Sequence, residues 1–183
     1  MVLKNVSLFA AAVLLAGASC QTMAKGPQLK TGMNRSALNF GYWSTTADAP
    51  TGPDVDLDSV MLGVTHGWFV TNDVEVGGQI AYNSVDDGAT EVTSWVLSAL
   101  GRWYFSNGSS LYPFLQGELG IGNADDGTAD DDLMRYGFGV GVMQFVTASS
   151  AIDAILKYQA DSYDKSDIDV TGFHLELAYS VFW

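Results

Sequence analysis

From residue 36 to the final Trp183 the chain repeats one pattern: stretches in which large apolar side chains alternate with polar or small ones, separated by breaks. A period of two marks a strand whose two faces meet different surroundings. The last stretch, 170–183, shows it most plainly: Phe173, Leu175, Leu177, Tyr179, Val181 and Trp183 alternate with Gly172, His174, Glu176, Ala178, Ser180 and Phe182. Seven earlier strands are read at 36–45, 57–69, 74–82, 92–105, 111–121, 134–145 and 151–160. A strand that runs to the end of the chain on an aromatic side chain is a poor fit to a water-soluble sandwich. It suits a barrel in a membrane, with rings at the interface and polar groups facing the lumen.

The breaks alternate between long and short. Residues 47–56, 83–91, the run Asp125–Asp132 and residues 161–169 are long, whereas 70–73, 106–108 and 147–150 are tight turns. The formal charge is −13, and it is sorted by this alternation: the long connections and their shoulders hold sixteen of the twenty-one acids, the short turns only Asp73. Membrane barrels have short turns at one end and longer loops at the other, with both chain ends on the short-turn side. A soluble sandwich has no reason to sort charge this way, and a lipocalin-like barrel carries its apolar face inside. The expected fold is therefore all-β: an eight-stranded antiparallel transmembrane up-and-down β-barrel over 36–183. So acidic a chain offers no basic surface for nucleic acid.

Ahead of the barrel, residues 1–24 have the composition of a secretory signal peptide, with Lys4, an apolar stretch at 6–15 and small residues after it. Small-x-small sites put the cut after Ala18 or Ala24. Ala16-Gly17-Ala18-Ser19-Cys20 resembles a bacterial lipobox that departs from the usual pattern at Gly17; the resemblance implies a cut after Ser19 and an acylated Cys20. Cys20 is the only cysteine, so no intramolecular disulfide can form. Residues 25–35 show no period and are expected to be a mobile periplasmic lead-in.

Gly67–Gly77, Arg102-Trp103-Tyr104-Phe105 followed by Tyr112-Pro113-Phe114, and the aromatic C-terminal strand resemble the small bacterial outer-membrane barrels of the OmpA and OmpX type. The resemblance spans about residues 37–183. It implies residence in the outer membrane of a Gram-negative cell, periplasmic termini, and contact with lipid and lipopolysaccharide. It also implies that Leu177, Tyr179, Val181 and Trp183 are read by the barrel-assembly machinery.

Inward parity collects Glu75, Arg102, Glu118, Arg135, Asp153, Lys157, His174 and Glu176. In a narrow lumen such charges are expected to pair, because an unpaired buried ion is costly, and an eight-stranded barrel is just wide enough to be filled by side chains. Hairpin register sets Lys157 across from His174. A base there would need a nucleophile within hydrogen-bond reach to make an enzyme, and no His-x-Ser element is present. His66 falls on the outer face near the periplasmic rim and receives no role. Asp125, Asp126, Asp130, Asp131 and Asp132 have carboxylates at spacings that suit Ca²⁺ but lack the twelve-residue calcium-loop pattern; divalent cations spread over all four loops fit better. No cofactor is expected. The first functional expectation is a structural or surface-interaction role with a filled lumen, the second a narrow pore for small solutes, the third a lipid-modifying enzyme.

Overall fold

The computed structural model describes residues 28–47, 55–86, 91–105, 110–125, 127, 130–164 and 168–183. Its strands are β1 (Asn34–Ala47), β2 (Val55–Phe69), β3 (Val74–Asp86), β4 (Glu91–Tyr104), β5 (Leu111–Asp125), β6 (Asp130–Phe145), β7 (Ser150–Tyr163) and β8 (Ile168–Phe182). Each pairs antiparallel with the next, and β8 returns to β1 to close the barrel. Every strand therefore has a partner strand on both sides, the closing seam running from Arg35–Phe182 to Tyr42–Leu175.

The two faces of this cylinder are inverted relative to a soluble protein. Outward-pointing Leu38, Ile121 and Phe173 are 64%, 68% and 67% exposed, whereas inward-pointing Glu75, Lys157 and Arg102 are 0%, 1% and 2% exposed. In water each large apolar side chain left out would forgo about 1.5–3 kcal/mol of burial free energy; against lipid chains that cost vanishes. Aromatic side chains bound the apolar band. Toward the loop end Tyr82 packs on Trp95 (5.0 Å between centroids) and Tyr158 on Phe173 (5.1 Å); toward the turn end Trp103 stacks on Phe105. Trp95 and Trp103 lie eight residues apart on β4, about 20 Å along the axis of a tilted strand, which is close to the height of an outer-membrane apolar band.

Most strands run further than the alternation of their apolar residues indicates. The β5–β6 hairpin stays paired up to Asp125 and Asp130, so Asp125, Asp130, Asp131 and Asp132 sit on strands and not in the loop expected for them. Likewise β3 continues through Asn83 to Asp86, β7 carries Asp161, and β1 begins at Asn34, drawing Arg35 out of the expected lead-in. The physical reason is common to all four. Beyond the apolar band both faces of a strand are polar, so the side-chain period fades while the backbone ladder continues unaltered.

Gly137, Gly139 and Gly141 face inward on β6 and make room for Glu118, Ile155 and Phe114; a Cβ at Gly139 would lie 2.7 Å from Ile155 Cδ1. Gly139→Val is therefore expected to destabilise the folded barrel by about 1–3 kcal/mol through overpacking, read by urea titration in lipid vesicles. Gly117, whose added Cβ meets nothing within 4 Å, is the control: Gly117→Ala should stay within about 0.5 kcal/mol of the parent.

Candidate functional site

The lumen is filled in layers. At the turn end an apolar cluster closes it: Phe69, Tyr104, Tyr112, Phe114, Phe145 and Phe182 pack together with Leu29 beneath them. Leu29 is carried there by residues 28–33, which fold under the barrel. Gly32, at a φ of 85°, donates its N–H to the Phe69 carbonyl (2.8 Å), and Phe69 donates back to Met33 (2.9 Å). Thr31 N–H reaches Asn72 Oδ1 at 3.1 Å. The end of the expected lead-in is thus a strap seated on the barrel mouth.

Above the aromatic floor lie two arginines and two carboxylates. Arg35 and Arg102 both bond Asp153 Oδ2, the latter at 2.9 Å. Arg35 also meets Glu75 at 3.1 Å and donates to Ser180 Oγ at 3.0 Å. Tyr104 donates its hydroxyl to Glu75 Oε2 at 2.6 Å, while Arg102 donates to Gln116 and lies 4.6 Å over the Phe114 ring. The four charged groups sit on β1, β3, β4 and β7, so the ion pairs cross the lumen and do not merely join neighbouring strands.

One layer further, Lys157 bridges Glu118 (2.9 Å) and Glu176 (3.2 Å), with Gln116 donating to Glu118 at 3.2 Å. His174 stands directly across from Lys157 in the β7–β8 register. Nearest the loop end, Arg135 grips Asp161 through Nε and Nη2, both at 2.7 Å, and Gln159 donates to the same carboxylate at 3.1 Å. A cavity of about 50 Å³ lies against this pair.

All eight sequence-derived lumen residues therefore face inward and are buried. Arg35, Tyr104, Asp161 and Ser180 belong with them and lay outside that set. Arg35 and Asp161 could have been found by carrying the inward parity one step further: Arg35 precedes Ala37 and Asn39, and Asp161 follows Lys157 and Gln159 at the same spacing. With Asp161 in the lumen, fifteen acids remain at the loop end in place of sixteen.

Of the aspartates considered for a metal, Asp125 accepts from the Gly127 N–H at 2.7 Å and Asp130 pairs across from it. Asp131 and Asp132 point to opposite faces of β6, as successive strand residues must. Asp126 lies outside the described residues. Among the described residues no three carboxylate, imidazole or thiol groups converge to hold a metal ion. Cys20 and the candidate cleavage positions also lie outside them.

His66 sits on the outer wall at the turn end, between Trp68 (6.2 Å) and Trp183 (5.9 Å), with Ser36 Oγ 2.9 Å from its Nδ1. This is a serine–histidine contact that the sequence did not reveal, because β1 and β2 create it by register. Ser36 lies within the β1 ladder between β2 and β8, where the backbone N–H groups are directed into strand pairing.

No protein-family model matches the chain, and no curated protein sequence matches it. Solved structures do. Neisserial surface protein A from Neisseria is 17% identical with a TM-score of 0.58, the match covering 82% of this chain and 97% of that one. The N-terminal β-barrel domain of OprF from Pseudomonas aeruginosa is 18% identical with a TM-score of 0.52, covering 84% and 98%. At these identities the likeness is one of fold: the chain has the closed eight-stranded architecture of small outer-membrane barrels.

Proposed function

We propose that the protein is a structural or surface-interaction barrel of the bacterial outer membrane, with a lumen closed to solute passage. The observation that carries this reading is the set of ion pairs crossing the lumen, Arg35 and Arg102 on Asp153 above an aromatic floor and Lys157 between Glu118 and Glu176. In this reading both termini are periplasmic, as the short turns and the seated strap at that end favour. The loop end then faces outward, where fifteen acids and the lone Lys165 attract divalent cations that bridge to lipopolysaccharide. During biogenesis Leu177, Tyr179, Val181 and Trp183 present the alternating face that the barrel-assembly machinery takes up.

The test is single-channel conductance of the folded protein in a planar bilayer. A filled lumen predicts silence at any ordinary holding potential. Reproducible unitary steps from protein shown to be folded would overturn the closed barrel and make it a narrow pore.

A further inference from the structure

The cavity beside Arg135 and Asp161 has an unusual lining. Gln159 Oε1, Asn83 Oδ1 and Ser59 Oγ belong to side chains that are 6%, 2% and 1% exposed, and none of these three oxygens has a hydrogen-bond partner. All three residues line the cavity. The orientation of Gln159 is fixed, since its NH₂ donates to the Asp161 carboxylate, so its carbonyl oxygen is left over. A buried polar atom without a partner costs about 1–3 kcal/mol, and three around one cavity call for an occupant that they can solvate.

The charge count says which kind. Among the described residues the buried lumen holds four cations (Arg35, Arg102, Arg135, Lys157) against five carboxylates (Glu75, Glu118, Asp153, Asp161, Glu176). The Arg35–Arg102 layer is balanced and so is the Arg135–Asp161 pair. The excess lies with Glu118 and Glu176, which share Lys157 just below His174, and His174 itself lines the cavity. Val85, Tyr163 and Val170, near the loop ends of β3, β7 and β8, also line the cavity, so it lies close to the acidic loop end, which concentrates cations around it.

We propose that this vestibule is a binding site for a single monovalent cation of the potassium or ammonium class, solvated by Gln159, Asn83 and Ser59. The cation supplies the missing positive charge above Lys157. A divalent ion is a poor fit, because Ca²⁺ gathers several carboxylates and the one carboxylate lining the cavity among the described residues, Asp161, is already matched by Arg135. The volume admits an ion with a water or two and excludes any sugar or peptide. This inference goes beyond the proposed cellular role and does not depend on it.

The experiment uses the folded full barrel crystallised with rubidium or thallium chloride. An anomalous peak in contact with Gln159 Oε1 is expected, and it should disappear in Gln159→Leu, a variant that leaves the ion pairs on Arg35, Arg102 and Lys157 in place. In parallel, thermal unfolding should shift upward with potassium but not with tetramethylammonium at equal ionic strength, and Asn83→Leu should erase the difference. A vestibule holding water alone, or equal response to the two salts, would overturn the proposal.

Discussion

Asp153→Asn is expected to be the most damaging single substitution in the lumen. The carboxylate of Asp153 is shared by two guanidinium groups and receives the Ser180 hydroxyl as well. Removing one partner of a buried pair costs about 3–5 kcal/mol, because the other ion stays buried without compensation. Here the change strands Arg102, whose other direct contacts are the neutral Gln116 and the Phe114 ring, while Arg35 keeps Glu75. The loss should therefore fall at the upper end of that range. A second substitution separates charge balance from packing. Combining Asp153→Asn with Arg102→Gln leaves the neutral pair Arg35–Glu75, so the double variant should be more stable than Asp153→Asn alone. Urea unfolding of the four proteins in lipid vesicles closes the double-mutant cycle; strictly additive losses would mean that Asp153 and Arg102 do not act as a pair.

That cycle also marks how far the sequence could be read. The wall was legible because a lipid-facing strand must place an apolar residue at every second position, and Leu38, Phe40 and Tyr42 or Phe173, Leu175 and Leu177 do so without a break. The lumen was legible only as a face. Glu75, Arg102, Glu118, Arg135, Asp153, Lys157, His174 and Glu176 follow from parity, but their partners do not: Asp153 on β7 meets Arg102 on β4 and Arg35 on β1 because the barrel closes with a particular stagger, which strand periodicity does not encode. Strand ends were hidden for a different reason. Asp161 and Arg35 look like loop and leader when judged by their acidic or basic neighbours, since beyond the apolar band polarity ceases to distinguish strand from loop. The Ser36–His66 contact and the Leu29 strap were hidden too, the first by register between two strands, the second because Leu29 and Met33, two apolar residues in a short polar segment, are too few to announce a period.

The outer wall supports an equally sharp prediction. Leu119 points outward on β5, is 61% exposed, and pairs with Ala99, midway between Trp95 and Trp103 on β4. On a water-soluble surface Leu119→Arg would shift stability by about 0.5 kcal/mol at most. At the middle of a bilayer the same charge faces hydrocarbon, and the expected cost is about 2–4 kcal/mol. The cost should shrink toward the interfaces, so an arginine in place of Leu111, at the turn-end start of β5, should cost about 1 kcal/mol or less. Unfolding free energies measured in vesicles for both variants decide the matter. A depth-dependent penalty, steep at Leu119 and shallow at Leu111, is what an apolar band bounded by the Tyr82–Trp95 and Trp103–Phe105 pairs requires. Equal and small effects at both positions would mean that this wall faces something other than lipid, and the inverted distribution of apolar and charged side chains would then need a protein partner around the whole barrel to account for it.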